Sequence, residues 1–132
     1  MVITALYAAL LGLIHTALTM YVVFGRWRYR VSLGDGDEKD MRRRIRAHGN
    51  FIETAPISLI LLYLAERYVF IGQSSWVHAF GVMIVLGRLL HILGITRRRS
   101  VNKLRQTGMV LSMSAITLLS MWLLYQASVE LL

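Results

Sequence analysis

The stretch Met41–Pro56, MRRRIRAHGNFIETAP, carries a cluster of arginines directly into an apolar segment. At helical spacing Arg46, Asn50 and Glu53 stand at i, i+4 and i+7, so their side chains share one stripe of a single helix. The residues that follow are almost entirely hydrocarbon, which places Glu53 inside the boundary of a membrane. Because a carboxylate at that depth is costly, the stripe is predicted to be functional.

Composition indicates a single membrane domain. The chain has 132 residues, 56% of them hydrophobic, and a mean hydropathy of +0.55, which is too apolar for a soluble domain of this length. It contains no cysteine, which excludes disulfides, cysteine metal sites and a protein thiol as nucleophile. Any thiol chemistry must therefore belong to a substrate. No metal site is predicted, because His15 has no convergent partner in the sequence.

Four apolar segments predict an all-α integral membrane protein whose transmembrane helices pack as a four-helix bundle. Each segment has roughly the 20 residues that cross the hydrocarbon core of a bilayer. The first segment should be retained rather than cleaved, because arginines follow it instead of a small-residue cleavage site. The four spans are expected at residues 2–24, 46–69, 76–95 and 106–125.

Local signals refine these helices. Asp40 is expected to cap the second helix at Met41, since its side chain can accept an unpaired backbone N–H there. Pro56 removes one backbone hydrogen bond and is expected to bend the same helix. Small residues at every fourth position predict close helix contacts, in the rows Ala8-Gly12-Thr16 and Gly108-Ser112.

The net charge of +8 is explained by topology. Residues 25–46 hold eight lysines and arginines and residues 96–105 hold five, whereas the other loop has one and the termini have none. Basic loops stay on the cytoplasmic side, so both termini are predicted to lie on the opposite side. Nucleic-acid binding is disfavoured, because no pattern of base-stacking aromatic residues accompanies the charges.

A second polar stripe lies in the third span. Arg88 interrupts its apolar interior, and His91 follows one turn later on the same face. Arg88 and Glu53 lie at a similar depth, roughly 10 Å from the basic boundary, which allows them to share one cavity. Arg105 begins the last helix, where a cation is disfavoured unless an anion binds near the free backbone N–H groups.

These features together resemble the MAPEG family, membrane-associated proteins in eicosanoid and glutathione metabolism. The matching pattern is Arg46-x-x-x-Asn50-x-x-Glu53-x-x-Pro56, joined by Arg-Leu-x-x-x-x-Gly over residues 88–94, by four spans and by basic first and third loops. The Arg-Val pair preceding the Gly-Asp-Gly turn at residues 34–36 is similar to the small bacterial members. The resemblance covers nearly the whole chain.

The resemblance implies a homotrimer that binds glutathione as co-substrate between neighbouring subunits, in a cavity open to the cytoplasm. By motif match, the residues on the second helix would hold the glutathione backbone and its terminal charges. Arg105 would be the catalytic residue, stabilising the thiolate. The implied glutathione-binding residues are Arg26, Arg46, Asn50, Glu53, Arg88 and His91.

Departures from the family pattern bear on the substrate. Thr54 stands where relatives often have tyrosine, and two tyrosines of the leukotriene-synthesising members appear here as His91 and Ile95. The loop before Arg105 is also longer. These differences argue against assuming a leukotriene substrate.

The leading hypothesis is a glutathione-dependent transferase or peroxidase that acts on lipophilic electrophiles in the bacterial inner membrane. The alternative is a non-catalytic, trimeric lipid-binding or scaffold protein, which would show no turnover of an electrophile with glutathione. For the site itself, the alternative is a buried ion-pair network of Arg46, Glu53 and Arg88 that only fixes helix packing. A transporter is disfavoured, because the sequence has no internal inverted repeat.

Overall fold

The computed structural model describes residues 2–68, 75–97 and 103–131. They form four α-helices and, within these ranges, no strand. The helices in chain order are α1 (Val2–Tyr29), α2 (Lys39–Tyr68), α3 (Ser75–Thr96) and α4 (Lys103–Leu131). The predicted all-α four-helix bundle is confirmed. Val69, the last residue of the second predicted span, lies outside the described residues.

The start of α2 differs from the expected cap. The Glu38 carbonyl accepts the first helical hydrogen bond from the Arg42 N–H (3.0 Å), so Glu38 and not Asp40 is the capping position. Asp40 lies in the first turn of α2, where it accepts hydrogen bonds from the Tyr29 hydroxyl (3.0 Å) and the Arg44 Nε (2.9 Å). The Arg44 guanidinium holds the pKa of the Asp40 carboxyl below its usual value. The expected cap is therefore a link from α2 to α1.

Three of the described helices, α1, α3 and α4, are long and apolar enough to cross a membrane. The second helix, α2, is not among these three, and its first half is highly charged. However, α2 runs antiparallel to α1 and is fixed to it at both ends, by Tyr29–Asp40 at one end and at the other by Glu66. The Glu66 carboxylate accepts the backbone N–H groups of Ile3 (3.1 Å) and Thr4 (2.9 Å). Because α2 extends along the full length of α1, it covers the same depth, which supports the prediction of four spans.

A close contact joins α3 to α4 through small residues. A Cβ atom added to Gly108 would clash with the backbone N of His91 and lie 2.6 Å from the carbonyl oxygen of Gly87. Ser112, one turn further along α4, is also buried. The predicted close contact of the Gly108-Ser112 row is confirmed, and its partner is α3.

The other small-residue row faces outward. Gly12 is exposed, and a Cβ atom there would have no neighbouring atom within 4 Å. Thr16 is exposed as well. Among the four described helices none packs against Gly12, which leaves this part of the row open to lipid or to another subunit.

Cysteine labelling tests the topology. The chain has no cysteine of its own, and Glu38 and Ser128 are exposed at opposite ends of the bundle. We expect an impermeant thiol reagent added outside intact cells to label Ser128→Cys and not Glu38→Cys, because the loop carrying Glu38 is basic and is therefore predicted to face the cytoplasm. Glu38→Cys should react only after the membrane is permeabilised. Labelling of Glu38→Cys in intact cells would invert the orientation.

Candidate functional site

A buried guanidinium is the centre of the site. Arg88 on α3 is 2% exposed, although it lies within an apolar helix. Its Nε donates to the Ser112 hydroxyl on α4 (3.0 Å), and its Nη1 donates to the Thr54 hydroxyl on α2 (2.5 Å). The same Nη1 lies 3.4 Å from the side-chain oxygen of Asn50 and 3.5 Å from its carbonyl oxygen. Arg88 thus joins three helices at one point.

The partners of Arg88 are all neutral. In residues 2–68, 75–97 and 103–131 no carboxylate contacts it, and its Nη2 has no acceptor. A buried charge whose countercharge is missing is destabilising by several kcal/mol, unless the remaining donors find an anion. The Nη2 of Arg88 is a donor that an anionic ligand would satisfy.

The predicted stripe on α2 divides between two surfaces. Asn50 turns inward to Arg88, whereas Arg46 and Glu53 are exposed on the outer face of the helix. No ion pair joins Arg46, Glu53 and Arg88 within the chain, so a network of these residues that only fixes packing does not form in a single subunit. A charged pair of side chains on the outer face of a membrane helix must be covered by protein or by a polar ligand.

His91 connects α3 to the start of α4. It is buried, and its Nδ1 lies 3.0 Å from the carbonyl oxygen of Arg105. Because a carbonyl can only accept, the Nδ1 must carry the proton. The Arg105 side chain is exposed in the first turn of α4, and Gly94 lies directly against its backbone. His91 and the backbone of Arg105 are thus brought together, and the role of His91 as a glutathione ligand stays a prediction.

Arg26 is placed differently from the other predicted residues. Its Nη1 donates to the carbonyl oxygens of Ser32 (3.0 Å) and Gly34 (3.3 Å) in the loop after α1. These bonds fold the loop back on the end of its own helix. The role of Arg26 as a ligand anchor stays a prediction, and it would require the side chain to exchange these carbonyls for the ligand.

Sequence reasoning missed two residues of the site. Thr54 and Ser112 supply hydroxyl acceptors to Arg88, yet the sequence interpretation treated the first as a departure from the family and the second as a packing residue. Helical spacing could have found Thr54, since it is four residues from Asn50 on the same face. Each hydroxyl also donates to a carbonyl of its own helix, Thr54 to Asn50 (2.9 Å) and Ser112 to Gly108 (2.9 Å).

An apolar groove with a volume of about 430 Å³ lies between α1 and α3. It is open on one side, and its size falls in the range of small-molecule sites. Two of its lining residues directly follow Arg88 and His91 in the sequence. The lining residues are Ile14, Ala17, Leu18, Tyr21, Leu89, Ile92 and Thr96.

Comparison with known proteins agrees with this architecture. Residues 4–125 match the model of the MAPEG family, a range that includes every residue of the candidate site. The inner membrane protein YecN of Escherichia coli strain K12 is 35% identical over 118 residues, covering 89% of this chain and 86% of that protein. The inner membrane protein YecN of Escherichia coli O6:H1 has the same identity and coverage.

The contact between Thr54 and Arg88 can be tested by removing one hydroxyl. We expect Thr54→Val to lower the free energy of unfolding by about 1–3 kcal/mol, because the buried Nη1 loses its nearest acceptor. Unfolding in detergent, followed by circular dichroism, measures the effect.

Thr96→Val is the matched control for this measurement. The Thr96 hydroxyl donates to carbonyls of the preceding turn (3.0 and 3.3 Å), as the Thr54 hydroxyl does (2.9 and 3.4 Å), but no arginine in the described part of the chain donates to it. Equal losses in the two variants would show that the hydrogen bond from Arg88 adds nothing.

Proposed function

This chain belongs to the MAPEG family, and we propose that it is a glutathione-dependent membrane transferase or peroxidase that acts on lipophilic electrophiles. It is a multi-pass membrane protein, and like its relative it resides in the inner membrane. Glutathione would bind near the cytoplasmic side, at the level of Arg88 and the basic loops.

The observation that carries this proposal is the unbalanced charge of the site. Arg88 is buried among neutral partners, while Glu53 and Arg46 stand on the outer face of α2 with no ion pair between them in the described chain. Glutathione has two carboxylates, one ammonium group, two peptide bonds and a thiol. A zwitterionic peptide of this kind supplies an anion for each guanidinium and a cation for the carboxylate.

The donor chemistry of each residue fits a distinct part of glutathione. Arg88, through its remaining Nη2, and Arg46 would hold the carboxylates, and Glu53 would hold the ammonium group. The Asn50 amide can serve a peptide bond, since it both donates and accepts. Arg26 would add a further guanidinium if it exchanged its loop carbonyls for the ligand.

The outward direction of Arg46 and Glu53 supports a site shared between subunits. Charged side chains cannot face hydrocarbon without a large penalty, so a neighbouring subunit would have to cover this face of α2. Gly12 offers a flat surface on α1 for such a contact. We therefore include in the proposal a homotrimer with glutathione bound between its subunits.

Arg105 is proposed to stabilise the reactive form of the thiol. Bound glutathione would supply the sulfur that attacks the electrophile or reduces the peroxide. A free thiol titrates near pH 8.5, so only a small fraction is ionised at neutral pH. The guanidinium and the N-terminus of α4 both favour negative charge nearby. Because arginine keeps its proton, it would act by electrostatic stabilisation and not as a base.

The role of Glu53 is tested by substitution with its neutral isostere. Glu53→Gln should weaken glutathione binding about tenfold or more, because a charge-assisted hydrogen bond to the ammonium group is worth roughly 1.5–3 kcal/mol. Calorimetric titration of the purified protein in detergent measures the affinity. Its oligomeric state should be unchanged.

Glu130→Gln is the control, since this exposed carboxylate bonds to Tyr68 at the opposite end of the bundle. Wild-type affinity in Glu53→Gln would eliminate the proposed pairing with the ammonium group. Dissociation of the oligomer would instead assign Glu53 to a structural ion pair between subunits.

The role of Arg105 is tested by measuring the ionisation of the glutathione thiol. Arg105→Ala should leave glutathione bound but remove most of the thiolate ultraviolet absorbance and most transferase turnover. Arg97→Ala, which removes an exposed arginine just beyond the end of α3, should retain both signals.

Two outcomes would contradict this proposal. A full thiolate signal in Arg105→Ala would show that Arg105 is only an interfacial arginine. A wild-type protein that binds glutathione but turns over neither a generic electrophile nor a peroxide would favour the non-catalytic lipid-binding or scaffold protein.

A further inference from the structure

We propose that His91 is a positioning residue that fixes the Arg105 guanidinium by holding the first turn of α4. It acts through the hydrogen bond from its Nδ1–H to the Arg105 carbonyl oxygen (3.0 Å). The catalytic consequence of this contact rests on the role of Arg105 in the proposed function, whereas the contact itself does not.

The contact has the properties of a fixed support. His91 is 5% exposed, so its ring is held by the surrounding protein and not by solvent. The acceptor carbonyl belongs to the helix backbone, which moves as a unit with the first turn of α4. A carbonyl oxygen has two lone pairs, so it can accept from His91 in addition to its partner within the helix.

Two glycines bring the backbones close enough for this bond. A Cβ atom on Gly94 would clash with the backbone N of Arg105 and lie 2.6 Å from its Cα. A Cβ atom on Gly108 would clash with the backbone N of His91. The helices therefore touch on both sides of the hydrogen bond, and a shift of α4 away from α3 would lengthen it directly.

Arg105 depends on this support because its own side chain has little else. The side chain is exposed, and the described residues provide no hydrogen-bond or ion-pair partner for its guanidinium. The position of the Arg105 guanidinium is consequently set by the position of the first turn of α4. Small displacements matter here, because the attraction between a guanidinium and a thiolate falls with distance.

The geometry also distinguishes this positioning role from a direct contact between His91 and the ligand. Donation by Nδ1–H leaves Nε2 as the unprotonated nitrogen of a neutral imidazole. The amide nitrogen of asparagine can replace Nδ1 as a donor, whereas the amide of glutamine reaches to the position of Nε2. A residue that positions Arg105 through Nδ1 should therefore be replaced best by asparagine.

The experiment compares His91→Asn with His91→Gln. We expect His91→Gln to lower turnover about tenfold and to raise the midpoint of thiol ionisation by about one pH unit, since these are equivalent free energies. The dissociation constant of glutathione should change less than about twofold in both variants, a threshold equivalent to roughly 0.4 kcal/mol. His91→Asn should restore most of the lost turnover and ionisation. His78→Gln, near the other end of α3, is the control and should behave as wild type.

Measuring His91→Gln in the Arg105→Ala protein distinguishes a positioning role from a general loss of structure. In the Arg105→Ala protein, His91→Gln should cause no further shift in thiol ionisation, because the residue it positions is already absent. A further shift there, or better rescue by glutamine than by asparagine, would overturn the proposal and assign His91 a direct contact through Nε2.

Nitrogen NMR of the imidazole tests the contact without any ligand. The Nδ1 of His91 should appear protonated and Nε2 unprotonated at neutral pH. The opposite tautomer would overturn the proposal even if glutathione binds. Failure of glutathione to bind, with the expected tautomer present, would contradict the proposed function while leaving the contact intact.

Discussion

The guanidinium of Arg88 is the constraint on which the rest of the bundle depends. A cation can stay inside an apolar bundle only if polar acceptors surround it, and these come from a different helix on each side, Thr54 and Asn50 on α2 and Ser112 on α4. To bring Ser112 within reach, α4 must approach α3 closely, which requires glycine at Gly87 and Gly108. The small residues of α3 and α4 therefore allow the hydrogen bond from Arg88 to Ser112 as well as the close packing of the two helices.

The number and type of the helices could be predicted from the sequence, because bilayer thickness sets the length of each apolar segment. The polar residues could be named as well, since Arg46, Asn50 and Glu53 follow helical spacing. Their directions could not be predicted. Whether a residue on α2 points inward or outward depends on how that helix is rotated about its axis relative to its three neighbours. The observed rotation points Asn50 and Thr54 towards Arg88 and leaves Glu53 on the outer face.

Local signals were less reliable than periodic ones. Aspartate is a residue type that commonly caps helices, but the Asp40 carboxylate accepts hydrogen bonds from Tyr29 and Arg44 instead. Glu38 occupies the capping position. A side chain with two competing sets of partners goes to the set that also holds a neighbouring helix. The capping prediction considered only the backbone of one helix, and the tertiary contact was invisible to it.

The contact of Glu66 with the start of α1 has a consequence for how the protein is made. The backbone N–H groups of Ile3 and Thr4 find their acceptor, Glu66, 63 and 62 residues later in the chain, respectively. During synthesis these amides lack their partner until α2 has emerged and turned back across the bilayer. The start of α1 thus reaches its final hydrogen bonding only when α1 and α2 are packed as a hairpin.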